Sequence, residues 1–404
     1  MVERRRQRTI VSPVTEQVET KDRTSIIESE DFVGPDPSKV TPDRLIPSGA
    51  TLVNCGCSDT PFGAFAMGSI VTNPGKSASG KSVSLLTTAA CCAVDERFDD
   101  YDLILDDAEQ TTIGKGSGFN LAYLFPPLAP RVAGDLTSGR LIPPNWDKKT
   151  KDPIPSETIQ NFKYNILKRC DSGKPFIYIL DSLDSLSSDE ELEREYKAMR
   201  KAAIESKDSD MLSQVDGSYK AEKAKHIGEV LRMVNGRIKH SDSALFIIMQ
   251  TRQRFKSGFG QTDWVTSGGE APYFYSYHQV YYHRIKGIPS EAYGLKHEIG
   301  GYTQAEVIKN KLTGKKRKSG IIYPIYNDYG VDDVGSCVDF LKLTKHWKSD
   351  SGGISADDFS VKKSRDDLVM YLEKNKLQKD LQAIVGEVWT KVEEAMRLNR
   401  TRIF

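Results

Sequence analysis

The stretch VTNPGKSASGKSVSLL, residues 71–86, restricts the fold more than any other part of this chain. An apolar run passes through glycines, small polar residues and lysine, and a second apolar run follows. Gly75 to Ser82 satisfies the spacing GxxxxGK[ST], and each position has a mechanical use. Gly75, Lys76, Ser77, Ala78, Ser79 and Gly80 make a loop whose backbone N–H groups can converge on phosphates. Lys81 can reach the terminal phosphate oxygens, and the Ser82 hydroxyl is a ligand for Mg²⁺. A helix beginning there turns its positive end toward the anion. A plain glycine-rich turn fits the same letters, so context decides. GSIVTN before the loop reads as a strand and VSLLTTAACCAV after it as a helix, which is the context a nucleotide site requires.

Further β-rich runs stand at YDLILDD (101–107), FIYILDSL (176–183) and ALFIIMQT (244–251), with stretches between them long enough for helical crossovers. That alternation predicts an α/β fold with a mostly parallel, doubly wound sheet. HIGEVLRMVNGRIK (226–239) keeps Ile227, Val230, Leu231, Val234 and Ile238 on one helical face. A later β-rich group at 277–285, 303–312 and 319–327, separated by loops, predicts antiparallel neighbours. Residues 187–223 are dense in charge and read as a solvated helix with a loop. Three regions follow: an N-terminal arm over 1–42, a core over 43–345, and a small α-rich appendage over 346–404.

The totals exclude some classes. Lys plus Arg (57) nearly balances Asp plus Glu (56), so nucleic-acid binding has to rest on local patches. The six cysteines form no CxxC pair and no zinc-type spacing, which suits a reducing, cytoplasmic setting. No apolar run is long enough for a membrane span, and MVERRRQRTI lacks the apolar segment of a secretory signal.

A phosphate loop needs a metal-holding acid and a base. Asp181, at the end of FIYILD, suits the Mg²⁺-supporting carboxylate, against the alternative of a helix cap just past a strand. LILDDAEQ ends its strand with Asp106, Asp107 and Glu109; a carboxylate there can orient an attacking water, although surface acids at a strand end have the same appearance.

With these residues in order, the chain resembles the RecA family of recombinases over roughly residues 23–345. IPSGATLVN and FAMGSIVTNPGKSASGKS resemble the family's approach to its phosphate loop, and DDAEQ resembles its DAE motif, which implies Glu109 as the catalytic carboxylate. YILDSLDSL resembles the family's metal-site strand with Asp181. SALFIIMQTRQRF resembles the strand that ends in a γ-phosphate-sensing glutamine, here Gln250. TSGGEAPYFYS resembles the far end of the second DNA-binding loop. AEVIKNKL resembles the strand whose lysines, here Lys309 and Lys311, reach a neighbouring subunit's ATP. The resemblance implies a RecA-like ATPase core that uses ATP and Mg²⁺. It also implies a helical filament of identical subunits on single-stranded DNA, homologous pairing with double-stranded DNA, and single-strand-binding and mediator proteins as further partners. Met249 stands where the family usually has asparagine, and Ser82 where it has threonine. TTIGKGSGFNLAY offers no counterpart to the adenine-stacking tyrosine. These departures point to a divergent, phage-encoded branch similar to UvsX, acting in a host cytoplasm.

Residues alone make the segment 251–270 a single-strand-binding candidate. Arg252, Arg254 and Lys256 can neutralise phosphates, Phe255, Phe259 and Trp264 can stack on bases, and glycines including Gly268 and Gly269 supply freedom. Lys220, Lys223 and Lys225 form a second candidate, which a charged helix start explains almost as well. Lys315, Lys316, Arg317 and Lys318 read as a general electrostatic patch. Ile26 and Ile27, in TSIIESEDF, are the expected anchors of an arm that adds a strand to the next subunit. A hexameric helicase of the same core and a DNA-coating filament with little hydrolysis are the rival functions.

Overall fold

The four runs anticipated as strands do form one sheet. The computed structural model describes residues 41–112, 121–129, 138–204, 216–255, 262–266, 268–398 and 400, with the backbone alone for 122, 198, 200–204, 216–221, 252–255 and 262–266. The arm up to residue 40, with Ile26 and Ile27, lies outside the described residues, as do Lys256 and Phe259.

Ten strands build the central sheet: β1 (Ser69–Gly75), β2 (Asp102–Asp107), β3 (Leu141–Ile142), β4 (Phe176–Asp181), β5 (Ala244–Phe255), β6 (Thr262–Thr266), β7 (His278–Ala292), β8 (Leu295–Asn310), β9 (Ile322–Tyr326) and β10 (Gly330–Val331). Their order is β10-β9-β8-β7-β1-β5-β4-β2-β3, with β6 paired to β5. From β7 to β3 every pair is parallel; β8, β9, β10 and β6 join antiparallel. The fold is α/β with a large, mostly parallel central sheet.

Two covered faces explain the continuous apolar letters. Val71, Leu103, Leu105, Ile177, Ile179, Phe246 and Ile248 point into one core, and Ile70, Ile104, Tyr178, Leu180, Leu245, Ile247 and Met249 into the other. The first core lies under α1 (Thr51–Ser58), α2 (Lys81–Ala93) and α7 (Asp333–Leu343); the second lies under α3 (Ile159–Asp171) and α5 (Asp216–His240). At roughly 1.5–3 kcal/mol for each fully buried aliphatic side chain, these two rows contribute a large share of the hydrophobic stabilisation. Two further helices, α4 (Asp189–Ile204) and α6 (Ala271–Tyr275), follow the ends of β4 and β6.

Three departures from the sequence expectation have physical causes. The helix anticipated over 226–239 begins ten residues earlier, because the charged stretch before it is itself a good helix former. β7 and β8 run through 286–302, where loops were expected, and turn at Tyr293 and Gly294. Both residues have positive φ, as a two-residue I′ turn demands. Most side chains over 291–299 are exposed, so no apolar alternation marked these strands in the sequence. The C-terminal segment holds a small antiparallel sheet (Lys348–Asp350, Gly353–Ala356, Val361–Lys363) besides its helices α8 (Arg365–Lys374) and α9 (Gln378–Ala395). Leu368, Leu372, Leu381, Val385 and Trp389 of those helices belong to the same apolar core as the sheet.

Candidate functional site

Parallel register brings the sequence-predicted residues to one edge. Gly75, at the end of β1, is level with Gln250 on β5, and Asp107, at the end of β2, is level with Asp181 on β4. β1 lies between β5 and β7 while the chain leaves it for α2, so the loop 75–82 opens at the carboxyl end where strand order reverses. That position is where open α/β sheets take ligands. The loop and the base of the β7–β8 hairpin line a cleft of about 300 Å³, bordered by Lys81, Ser82, Arg284, Gly301, Thr303 and Asn327.

The loop itself is tightly specified. Gly80 has φ 88°, and a Cβ there would sit 2.4 Å from Ile325 Cδ1. The isoleucine tip can shift, so the left-handed φ is what calls for glycine there. Lys81 is buried, and its Nζ donates to Gly75 O (3.1 Å) and Lys76 O (2.5 Å). Burial lowers its pKa, while Asp181, Glu109 and Asp184 pull it back up. Ser82 bonds to Asp181, whose carboxyl is pushed up to about 6 by burial, and then by Glu109 and Asp107, against that bond. A carboxylate and a hydroxyl side by side, short of positive charge, suit Mg²⁺; with the loop amides and Lys81 they fit a nucleotide's phosphates.

The three acids after β2 separate by their partners. Asp106 is fully buried and accepts from Ser156 N (2.7 Å), Ser156 Oγ (2.6 Å) and Tyr178 OH (2.5 Å), so it braces the sheet. Asp107 accepts from Thr111 N (3.2 Å) and Thr112 N (2.7 Å), shaping the turn. Glu109 turns toward the end of β4 and toward β5. Its Oε1 accepts from Ser182 Oγ (2.7 Å) and from Gln250 Nε2 (3.0 Å).

Gln250 is held twice, since its backbone N–H donates to Asp184 Oδ2 at 2.6 Å. Asp184 was not singled out in the sequence, although it lies three residues beyond Asp181 in the same DSLDSL run. Lys223 belongs to this arrangement also: its Nζ donates to Asp184 O (3.2 Å) and Leu186 O (2.5 Å). That corrects its reading as a phosphate contact, because an ammonium so placed is closing a loop. Lys225 remains exposed.

Immediately beyond Gln250, β5 continues as one arm of a β-hairpin with β6, where Arg252 is level with Val265, Arg254 with Asp263, Gln253 with Trp264 and Phe255 with Thr262. Thr251 Oγ1 bonds Tyr281 OH at 3.0 Å, fixing the root of the hairpin to β7. Gly268 and Gly269, both with positive φ, lead into α6. Lys309 and Lys311 converge on the end of that helix: Lys309 Nζ donates to Tyr273 O and Phe274 O (3.1 Å), and Lys311 Nζ to Phe274 O (3.4 Å). Burial, then Lys311, lowers the Lys309 pKa.

The basic run 315–318 is not a uniform patch. Lys315 and Arg317 turn inward to Asp59 and Glu393, because Arg317 pairs in the sheet with Val307 and so faces α1 and α9. Among the described residues no helix is long and apolar enough to cross a membrane.

No family model matches the chain. Among curated proteins it is similar to Protein RecA of Mycoplasma mobile, 24% identical over 267 residues, covering 66% of this chain and 72% of that protein. It is also similar to Protein RecA of Acinetobacter baylyi, 25% identical over 175 residues, 43% of this chain and 48% of the relative. Protein RecA of a Picosynechococcus species is 27% identical over 164 residues, 41% and 44% of the two chains. The chain thus spans about half the length of two of these three relatives, and the matches support kinship with RecA proteins at that distance.

Proposed function

We propose that this chain is a divergent RecA-type recombinase, a DNA-dependent ATPase that assembles on single-stranded DNA and promotes homologous pairing and strand exchange with double-stranded DNA. One observation carries the reading: Glu109 Oε1 accepts from Gln250, and Gln250 is the residue from which the β5–β6 hairpin departs. A group suited to activating water is therefore joined by one amide to a segment with the makeup of a DNA-binding loop.

In this reading Lys81 and the amides of Gly75–Ser82 hold the triphosphate. Ser82 and Asp181 would hold Mg²⁺, which neutralises charge between phosphate oxygens. Glu109 orients water and accepts its proton. Gln250 is held between Glu109 and Asp184, so a change of charge at the phosphate end alters the hydrogen bonds that set the hairpin's root. Arg252, Arg254, Phe255, Lys256, Phe259 and Trp264 bind the strand, with Gly268 and Gly269 as hinges. Lys309 and Lys311 complete the site of an adjacent subunit, and Ile26 and Ile27 anchor the arm in the filament. Met249 and Ser82 favour a phage-type, UvsX-like branch working in a host cytoplasm, with single-strand-binding and mediator proteins as partners.

The test pairs electron microscopy, with single-stranded DNA and an ATP analogue, with turnover measured with and without DNA. Helical filaments and DNA-stimulated turnover are expected. Gln250→Ala should keep ATP binding and lose the stimulation. Closed rings would favour the helicase, and stimulation unchanged in Gln250→Ala would detach the two halves of the site.

A further inference from the structure

α4 and α5 carry a cluster that the nucleotide site does not use. Glu190 on α4 and Glu222 and His226 on α5 each present a ligand atom, all within 4.8 Å of one another, and all three residues are half-buried. Two ligands on one ion at about 2.0–2.2 Å stand roughly 3–4.4 Å apart, so this spread closes onto a single ion with small side-chain movements. We propose that Glu190, Glu222 and His226 form a binding site for a divalent transition-metal ion of the zinc type, clamping α4 to α5.

The surroundings are those of a built site. Glu222 and His226 are four residues apart on one helix, and so share a face. His226 turns Nε2 toward Glu190 Oε1 (3.5 Å) and Nδ1 toward Glu229 Oε2 (3.9 Å). At 3.9 Å Glu229 stands just beyond hydrogen-bond reach of Nδ1, where a small side-chain movement gives the carboxylate support usual for a metal-bound imidazole. Each ligating carboxylate also has its Oε2 held from outside: Gln160 Nε2 donates to Glu190 (3.0 Å), and Arg194 NH2 to Glu222 (3.3 Å). Gln160 is fixed in turn, its Oε1 accepting from Asp189 N at 3.2 Å.

Charge points the same way. Among the described residues His226 lies between the carboxylates of Glu190 and Glu229, and Arg194 pairs with Glu222. A divalent ion would add positive charge among these carboxylates. One imidazole among carboxylates selects a borderline ion such as Zn²⁺ or Co²⁺ over Mg²⁺, which prefers oxygen alone. Binding needs neutral His226, and a proton held there is released to solvent. The site shares no residue with the loop 75–82 or Asp181. Its helix does carry Lys223, next to Glu222, which holds the carbonyls of Asp184 and Leu186. An ion here would stiffen the support on which Gln250 rests.

The experiment titrates Co²⁺ into the full chain after chelator treatment, without nucleotide or Mg²⁺, and follows the visible d–d absorption. One equivalent is expected, displaced by Zn²⁺. His226→Gln and Glu222→Gln should each weaken binding by about 100-fold or more, beyond the ~10- to 100-fold that losing an outer partner costs, and Gln160→Leu should fall within that lesser range. Asp181→Asn should leave the titration unchanged, which places the ion away from the phosphates. Circular dichroism establishes that each variant is folded, and either ligand variant suffices. Absence of the band in the wild-type chain, or undiminished binding in a folded His226→Gln or Glu222→Gln chain, would overturn the site and leave an ordinary histidine–carboxylate contact.

Discussion

Arg317 and Lys81 are both buried cations, 8% and 6% exposed, and their neighbourhoods are opposites. Arg317 Nε meets Glu393 at 2.9 Å, its NH2 meets Asp59, and its NH1 donates to Gly56 O at 2.9 Å. Lys315 bridges the same two acids at 2.8 and 2.9 Å. Two cations and two acids cancel; burial alone would raise Glu393, and the bonds from Arg317 and Lys315 outweigh it and hold it below its usual range. Lys81 instead donates to carbonyls of its own loop, while Ser82 bonds to Asp181 and Glu109 accepts from Ser182 and Gln250. The first cluster closes on itself and rivets α1 to α9. The second keeps opposite charges apart at the edge of a cleft, and its raised Asp181 shows what that arrangement costs the fold. Saturated charge marks structure here; in the proposed reading, unsaturated charge marks the place where a ligand completes the set.

The contrast breaks most visibly at Glu109. Glu109→Gln should lower ATP turnover by about 10²- to 10⁴-fold, the usual worth of a positioned base, with ATP affinity nearly unchanged. Steady-state hydrolysis beside nucleotide binding measures both, and undiminished turnover would move the unsaturated end elsewhere. On the saturated side, Arg317→Ala removes one of the two cations that hold the half-buried Asp59 and Glu393 and should cost about 1.5–3 kcal/mol in guanidinium unfolding, with nucleotide affinity of the folded chain preserved. A loss of under 1 kcal/mol would make that cluster ornamental.

Asp181 sharpens the comparison through pH. A carboxyl raised on folding contributes its stability while protonated: the contribution is complete below the ordinary aspartate range, near pH 4, and is lost as pH rises through about 6. Asp181→Asn should therefore be more stable than wild type at pH 7.5 by up to about 3 kcal/mol, and equal to it near pH 4. Urea unfolding at the two pH values decides; an equal difference at both would mean ionisation is not what burdens this site. Lys223→Met, which leaves the Asp184 and Leu186 carbonyls short of a donor, should cost about 1 kcal/mol by the same measurement. A stability unchanged by the substitution would show that water replaces the ammonium there.

The core strands and the loop 75–82 were legible because their rules are local. An apolar run buried on both faces, or a glycine that must take φ 88°, is written within a few residues. The acids were not. DDAE contains a sheet brace, a turn cap and a carboxylate bonded to Gln250, and only Ser156, Tyr178 and Gln250, each 50 or more positions away from the acid it meets, tell them apart. α1 makes the same point. Its N-cap, Ala50, has no capping group, and its first N–H is met by Asp333 Oδ1 at 2.6 Å.

Residue order by itself determined that this chain folds as an α/β sheet with a phosphate-type loop at one edge. Tertiary structure decided which charges cancel inside the protein, how far β7 and β8 extend, and that Asp184 and Lys223 support Gln250. The reason is that backbone geometry depends on near neighbours, whereas what a charged group does depends on which other charges share its desolvated surroundings, and folding alone assembles those.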